Sequence, residues 1–307
     1  MQSRTKFFDR LAMVIAAAGA IFLALLVLYP GVVVLLVPGV HYRSPFCSKW
    51  QAMLDHRIKL RQASDAQAIA RASHLVRRES GLALWATPQG EYWIPASDDK
   101  VLPILLAQEK RDIYGSRDWG VRAGDTVLDC GAYVGTWARH ALDRGAKLVV
   151  EIEPSPESVE CIRRNLAKEI AGGRVVIVAK GIWDSEGALR FFINPDNTAG
   201  NSFVGNENSG TTASIPVTTV DRLAAELRLS RVDFIKADIK GATERLLRGG
   251  RGVIVRDRPR LAFSTEEIDD AGGVAALAKS MQPGYEMKCG PCFLSGTDII
   301  TDVHFFR

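Results

Sequence analysis

The chain has 307 residues, of which 24% are charged and 47% hydrophobic, and a formal net charge of +4 at pH 7. This length is sufficient for one large α/β domain with an additional segment, and the mildly basic charge is not gathered into runs of lysine and arginine, so we expect no nucleic-acid partner. Five irregularly spaced cysteines do not indicate a disulfide framework and are typical of a reducing compartment.

A long uncharged run marks the N-terminal part of the chain. Residues 11–40 are thirty residues without a charge, whereas a transmembrane helix needs ~20 apolar residues and the core of a signal peptide has ~7–15. The sequence Tyr-Pro-Gly at 29–31 interrupts the run, so we expect either a transmembrane helix over 11–29 or a membrane hairpin that turns at this point. Residues 1–44 are therefore predicted to form an N-terminal tail and a membrane anchor, whose orientation the basic residues on both sides leave open.

Residues 45–99 are predicted to connect this anchor to the main domain. Apolar side chains between residues 49 and 78 recur at helical spacing, which predicts a helical linker whose basic face is either solvated or lies on anionic lipid. Two short apolar stretches, 82–86 and 91–94, flank a Pro-Gln-Gly sequence and predict a β-hairpin. A further helix is expected over 101–114, at the start of a third segment, residues 100–307.

A strand, a glycine-containing turn and a helix are predicted for residues 126–144. Residues 126–128 predict a buried strand, and the apolar side of residues 136–144 predicts a helix. The turn between them has the spacing Asp-x-Gly-x-x-x-Gly, which differs from the Gly-x-Gly-x-x-Gly spacing of dinucleotide-binding turns. Ligands of open α/β sheets bind at the carboxyl ends of the strands, so the turn residues Asp129, Gly131 and Gly135 are candidate binding residues.

The second predicted strand, residues 147–152, is followed by Glu153. This glutamate comes about 20 residues after Gly131, and an acidic residue at that distance, at the end of the second strand, is suited to bind the hydroxyls of a ribose. Pro154 ends the strand, and Pro156 is suited to open the helix predicted up to about residue 170. The glycine turn and Glu153 together predict a ribose-binding site.

These motifs resemble the S-adenosylmethionine site of class I methyltransferases, and most closely that of the FkbM-type family. The likeness rests on residues 127–135, on Glu-Pro-Ser-Pro at 153–156 and on residues 232–241, and it covers roughly residues 100–307. It implies an α/β fold with a Rossmann-like seven-stranded methyltransferase sheet, helices on both faces, and S-adenosyl-L-methionine as the methyl donor, usually for O-methylation. It also implies cofactor contacts from further residues: Ala132, Tyr133, Ile182 and Trp183.

Further elements are predicted between the second strand and the fourth. Residues 174–178 predict a third strand, and the sequence Gly-Ile-Trp-Asp at 181–184 follows it where the family contacts the adenine. Residues 188–192 predict another strand. Residues 194–214 are rich in Asn, Gly, Ser and Thr and predict a long loop, which is either a lid, a substrate loop or a flexible segment. Within it, Asn-Ser-Phe at 201–203 occupies the place of a serine-containing stretch that lies near the active site in the family.

The predicted fourth strand, residues 232–237, ends at Asp238. A carboxylate at this edge can orient an acceptor hydroxyl, accept its proton or hold a divalent ion, whereas the alternative is that Asp238 caps the following helix. Lys240 and Thr243 stand where the family usually has glutamates. A lysine does not replace a carboxylate as a metal ligand, so we predict no metal site. Asp238 and Lys240 are the catalytic candidates, and Lys240 is also suited to attract an anionic acceptor.

Residues 289–292 have the Cys-x-x-Cys spacing of redox and zinc motifs. A redox motif needs its first cysteine at a helix N-terminus, but a turn is predicted after Cys292. A zinc site needs two further ligands, and none is close in sequence. We therefore interpret this motif as a loop between two strands of a terminal antiparallel hairpin, residues 285–288 and 302–306.

The leading hypothesis is a membrane-anchored, S-adenosylmethionine-dependent methyltransferase that modifies a hydroxyl of a glycan, a lipid-linked molecule or a secondary metabolite. The donor is a cytosolic metabolite, so the catalytic domain is expected in the cytoplasm. A catalytically degenerate binding or scaffold protein is the alternative suggested by Lys240 and Thr243. A nicotinamide-dependent oxidoreductase is a third hypothesis, against which the absent Gly-x-Gly-x-x-Gly turn argues.

Overall fold

The computed structural model describes residues 12–22, 24, 31–194, 197–204, 211–265 and 271–307. Residues 12–22 are helical, and a short helix, α1, covers Val32–Leu36. Within these described ranges no helix has the length and apolar character needed to cross a bilayer. The rest of the predicted anchor, including residues 1–11 and 25–30, lies outside the described residues.

The segment before the central sheet combines two helices with a small antiparallel sheet. Its elements are β1 (His41–Tyr42), α2 (Lys49–Ala72), β2 (His74–Glu79), β3 (Leu82–Thr87), β4 (Gly90–Pro95) and α3 (Val101–Lys110). The predicted hairpin is present as β3 and β4, but residues 74–78 of the predicted helix form strand β2 instead. These residues pair with the outer edge of β3, which a helix would leave without backbone partners. The division of the chain at residues 44 and 99 stays a prediction.

In the rest of the chain, strands and helices alternate except in two runs of consecutive strands, between residues 175 and 218 and between residues 287 and 306. Two 3₁₀ turns, Arg117–Trp119 and Thr198–Gly200, accompany them. The first group is β5 (Thr126–Cys130), α4 (Thr136–Asp143), β6 (Leu148–Ile152), α5 (Pro156–Asn165), α6 (Ala167–Ala171), β7 (Val175–Val178), β8 (Gly181–Ile182), β9 (Gly187–Ile193) and β10 (Thr211–Thr218). The second group is α7 (Val220–Glu226), β11 (Phe234–Ala237), α8 (Thr243–Gly249), α9 (Arg251–Asp257), β12 (Arg260–Ser264), α10 (Ala271–Met281), β13 (Met287–Cys289), β14 (Cys292–Ser295), β15 (Asp298–Thr301) and β16 (Val303–Phe306).

A seven-stranded sheet in the order β13-β16-β12-β11-β5-β6-β7 forms the centre of the domain. The five strands from β12 to β7 are parallel, and β16 is antiparallel to both of its neighbours. Successive strand residues point to opposite faces. Leu128 accordingly packs in a core with α7, α8, α9 and α10, whereas Val127 packs on the other side with α4 and α5. The predicted sheet with helices on both faces is therefore confirmed.

Strand β10 replaces the end of the loop predicted for residues 194–214. It pairs antiparallel with β9 along seven residue pairs, and parallel with β8, in a separate three-stranded sheet. The sequence between residues 211 and 218 contains three threonines, which favour the extended conformation once a partner strand is available. The shortened connection, residues 194–210, contains the turn Thr198–Gly200, and residues 195–196 and 205–210 lie outside the described residues.

The C-terminal hairpin has an insertion that the sequence did not predict. β13 and β16 pair as expected, but β14 and β15 form a second hairpin between them, and β1 joins the edge of β15. Cys292, at the start of β14, forms a disulfide with Cys47. The interpretation that the cysteines form no disulfide was therefore wrong, because the two partners are 245 residues apart and spacing cannot reveal them. Cys130, Cys161 and Cys289 are free.

Candidate functional site

The turn between β5 and α4 depends on its two glycines. Gly131 has φ +81° and Gly135 has φ +77°, a backbone region that side chains rarely adopt. A Cβ at residue 131 would lie 2.2 Å from the main-chain oxygen of Asp238, and one at residue 135 would lie 2.9 Å from Cδ1 of Leu166. The backbone of the turn therefore approaches both the end of β11 and the end of α5 more closely than any other residue would permit.

Glu153, directly after β6, is held in one orientation by two main-chain amides. Its Oε2 accepts a 2.9 Å hydrogen bond from the N–H of Tyr133, and its Oε1 accepts a 2.9 Å bond from the N–H of Ser155. Burial raises the pKa of this carboxyl to about 7, against the opposing effect of the two amides. Sequence reasoning correctly placed Glu153 next to the glycine turn.

Two adjoining cavities lie at the carboxyl ends of β5, β6 and β11. The main cavity has a volume of about 120 Å³, and the inner cavity has one of about 40 Å³. They share four lining residues, Leu105, Gly131, Tyr133 and Asp238. Of the predicted site residues, the main cavity is also lined by Glu153, Ile182 and Lys240, and the inner cavity by Ala132. The structure thus brings most of the predicted residues together along one crevice.

Three predicted cofactor-binding residues, Asp129, Gly135 and Trp183, do not line these two cavities. Asp129 is fully buried and forms a 2.6 Å ion pair with Lys236, its register partner on β11. Its side chain is therefore buried beside Lys236, on the side of the sheet covered by α4 and α5, and the expected contact of Asp129 with the ligand stays a prediction. The ring of Trp183 lies 6.2 Å from that of Phe203 and is covered by the guanidinium of Arg245.

A group of buried charged side chains on β5, β6 and β11 packs against the turn between β5 and α4. Nζ of Lys236 donates to Oδ1 of Asp129 and, over 2.9 Å, to the main-chain oxygen of Gly131. Glu151 is also fully buried, and burial followed by the charge of Asp129 raises the pKa of Glu151 well above its usual value. The raised pKa keeps Glu151 protonated, so the group contains one ion pair and one neutral carboxyl. Among the described residues, Oδ2 of Asp129 and both carboxyl oxygens of Glu151 have no hydrogen-bond partner.

Asp98 connects the turn to the segment that lines the main cavity. Its carboxylate is 1% exposed and accepts a 2.6 Å hydrogen bond from the phenol of Tyr133. It also accepts a 3.0 Å bond from the N–H of Thr198 and a bond from the Thr198 hydroxyl. Burial, and then the charge of Asp98, raise the pKa of Tyr133 well above its usual value, so the phenol remains a donor. Sequence reasoning missed Asp98, since its partners are distant in sequence.

Asp238 is exposed at the end of β11 and accepts a 2.7 Å hydrogen bond from the hydroxyl of Tyr114. The next helix, α8, has Ala242 as its N-cap residue, without a side-chain capping bond. The alternative interpretation of Asp238 as a helix cap is therefore wrong, and its carboxylate is presented to both cavities. Tyr114, which sequence reasoning placed only at the end of a helix, is part of this site.

Among the residues that the structure describes, no group of three or more His, Cys, Asp and Glu side chains is arranged to hold a metal ion. Lys240 lines the main cavity where the family usually has a glutamate. Its main-chain oxygen accepts a 3.4 Å hydrogen bond from the Ser202 hydroxyl, which ties this residue to the segment 197–204.

The sequence was also compared with known families. A family model described as the methyltransferase FkbM domain matches residues 129–287, just over half of the chain. The chain belongs to this family. The resemblance based on the turn, on Glu153 and on β11 is therefore confirmed, and the match includes Asp238 and Lys240. No curated protein matches the sequence.

Several solved structures resemble this chain at low sequence identity. The FkbM methyltransferase from Methylobacillus flagellatus KT has a TM-score of 0.46 and 16% identity, over 82% of this chain and 60% of that chain. The ribosomal protein L11 methylase from Lactobacillus delbrueckii subsp. bulgaricus has a TM-score of 0.36 and 14% identity, over 68% and 79% of the two chains. A Streptococcus mutans protein in complex with SAH has a TM-score of 0.39 and 10% identity, over 61% and 89%.

Proposed function

We propose that this FkbM methyltransferase binds S-adenosyl-L-methionine in the main cavity and transfers the methyl group to a hydroxyl oxygen. The observation that carries the proposal is the carboxylate of Glu153, fixed by two main-chain amides beside Gly131. A carboxylate held in this way can accept hydrogen bonds from two neighbouring ribose hydroxyls. A solvated loop glutamate would not need this fixed orientation.

The residues around Glu153 fit the other parts of the proposed cofactor. Gly131 presents bare backbone to the main cavity, so a ligand can approach the turn closely. Ile182 and Phe191 supply apolar walls on the side of β8 and β9, which suits a planar adenine. The predicted contact from Ile182 is therefore retained in this proposal, and the predicted contact from the Trp183 ring is not.

The bound cofactor would supply a methyl group on a positively charged sulfur, and the chain must hold the acceptor in line with it. Asp238 lies beside Gly131 in both cavities and is placed to accept the proton of an acceptor hydroxyl. The hydroxyl of Tyr114 fixes one oxygen of this carboxylate. The segment 197–204, which Asp98 and Lys240 hold in place, forms the wall on the acceptor side.

The proposal also covers the class of acceptor and the cellular location of the protein. The uncharged run 11–40 supports a membrane anchor, and with it a glycan, a lipid-linked molecule or a secondary metabolite as acceptor. The cofactor is cytosolic, which supports a cytoplasmic catalytic domain. The Cys47–Cys292 disulfide argues against this location, because disulfides persist in oxidising compartments. Thiol labelling of the chain in intact cells decides between the cytoplasm and an oxidising compartment. A fully oxidised Cys47–Cys292 pair would contradict the cytoplasmic location.

Isothermal titration calorimetry of the full chain in detergent tests the cofactor. We expect S-adenosylmethionine and S-adenosylhomocysteine to bind and NAD not to bind. Transfer of a labelled methyl group to extracts of the source membrane then separates an active enzyme from a degenerate binding protein, the alternative that Lys240 and Thr243 suggest. Binding of NAD in preference to S-adenosylhomocysteine would overturn the proposal.

A further inference from the structure

Glu109 lies near the end of α3, in a part of the chain that the family match does not include. Its side chain lines the inner cavity together with Tyr114 and Thr136. The Thr136 side chain, at the start of α4, forms a hydrogen bond with the Glu109 carboxyl. Burial raises the pKa of this carboxyl to about 7. A carboxylate in such a position needs a cationic or hydrogen-bonding partner when the inner cavity is filled.

The two cavities extend the crevice toward two different ends, which are lined by different residues. Glu153 and Ile182 mark one end, beside β6 and β8, and both line the main cavity only. Glu109 and Lys236 mark the other end and line the inner cavity only. The residues that line both cavities, including Gly131, lie between these two ends. A ligand whose ribose is bound by Glu153 and whose chain extends past Gly131 therefore enters the inner cavity.

The charges of the inner cavity favour a cation beside Glu109. Lys236 is the cation among its lining residues, and its ammonium is already paired with the fully buried Asp129. One oxygen of Asp238 accepts the hydroxyl of Tyr114.

The Thr136 hydroxyl is the hydrogen-bond partner of Glu109, and the charges of Lys236 and Arg139 also act on its carboxyl and lower its pKa. Both cations donate elsewhere, Lys236 to Asp129 and Arg139 to main-chain oxygens. A ligand ammonium beside Glu109 therefore gains a charge-assisted hydrogen bond there.

We propose that Glu109 binds the α-ammonium group of the amino-acid part of the cofactor. This inference rests on the proposed function, because it takes the ribose at Glu153 as given. Glu109 then acts as a second anchor, at the opposite end of the crevice from Glu153. It selects nucleosides that carry an amino-acid chain over nucleosides that do not.

Calorimetry of the full chain with three ligands tests this assignment. The ligands are S-adenosylhomocysteine, its analogue without the α-amino group, and 5′-methylthioadenosine, which has no amino-acid part. We expect Glu109→Gln to weaken S-adenosylhomocysteine binding by about 10- to 100-fold, the loss of one charge-assisted hydrogen bond. Binding of the deaminated analogue and of 5′-methylthioadenosine should remain unchanged.

Two control variants complete the experiment. Glu91→Gln changes an exposed glutamate on β4 and should leave all three affinities as they are. Glu153→Gln should weaken all three ligands together, because each contains the ribose. Equal affinities of wild type and Glu109→Gln for S-adenosylhomocysteine, or an equal loss for all three ligands, would overturn the assignment of Glu109.

The failure of this inference can be distinguished from that of the proposed function. Wild type that binds none of the three ligands refutes the cofactor proposal itself. Wild type that binds S-adenosylhomocysteine and the deaminated analogue equally refutes the role of Glu109 alone, and this comparison does not depend on the folding of a variant.

Discussion

The phenol of Tyr133 reaches across the crevice to Asp98 and donates a 2.6 Å hydrogen bond to its buried carboxylate. Asparagine is usual at this position in the family, and its side chain is shorter than that of tyrosine. The same carboxylate accepts the N–H of Thr198. The larger side chain therefore joins the glycine turn, the segment before α3 and the acceptor wall in one arrangement.

Removal of Asp98 should loosen this arrangement. We expect Asp98→Ala to lower the free energy of unfolding by about 1–3 kcal/mol, because Tyr133 and Thr198 would keep buried donors without an acceptor. Tyr133→Phe removes one donor and leaves Thr198 paired, so its effect should be smaller, about 1 kcal/mol. Urea unfolding of the two variants measures both values. A larger loss for Tyr133→Phe than for Asp98→Ala would contradict this account.

The affinity for S-adenosylhomocysteine should depend on pH through Glu153. Its pKa is raised to about 7 by burial, and the ribose hydroxyls bind the ionised form best. Affinity should therefore rise between about pH 6 and pH 8 and be constant above that range. Glu153→Gln should weaken binding by about 1–3 kcal/mol and remove this dependence. Calorimetry across this pH range measures both effects, and the same pH profile in the variant would exclude Glu153 as its source.

Asp238 should matter for turnover more than for cofactor binding. If it accepts the acceptor proton, Asp238→Asn should keep the affinity for S-adenosylhomocysteine and reduce turnover by roughly 10²–10⁴-fold. Tyr114→Phe, which frees one oxygen of the same carboxylate, should have a smaller effect in the same direction. Full activity in Asp238→Asn would leave the residue without a role as a base. If wild type is inactive, Lys240→Glu tests whether the glutamate usual in the family restores transfer.

Substitutions of Lys236 and of Glu151, the two ionisable neighbours of Asp129, should lower the free energy of unfolding by unequal amounts. Lys236→Met leaves Asp129 as an unpaired buried charge and should cost about 3–5 kcal/mol of stability. Glu151→Gln replaces a buried neutral carboxyl without a hydrogen-bond partner by a neutral amide of similar size, so it should cost less, about 1 kcal/mol. The raised pKa of Glu151 means that its contribution to stability is complete below its unfolded pKa and decreases as pH rises through its folded pKa. Glu151→Gln should remove that decrease, which unfolding at several pH values would show.

The parts of the site that the sequence predicted are those with local signals. The turn around Gly131 and the position of Glu153 follow from short-range spacing, and the apolar runs of β5, β6 and β11 define the sheet. Asp98 and Glu109 have no local signal, because they reach the crevice only after the segment before β5 has packed onto the domain. The pairing of Asp129 with Lys236 could not be predicted either, because the two residues are more than a hundred positions apart in the sequence.

The Cys47–Cys292 bond closes a covalent ring between two residues that are 245 positions apart in the sequence. The ring contains every strand of the central sheet except β16 and includes both cavities. After a single protease cut in any connection inside the ring, the disulfide would still hold the two parts together, and the mass would increase only by that of one water. Two fragments would separate only after reduction of the disulfide. The ring also fixes the start of α2 to the C-terminal hairpin, so tension applied at the N-terminal run would reach β14 without first passing through the crevice.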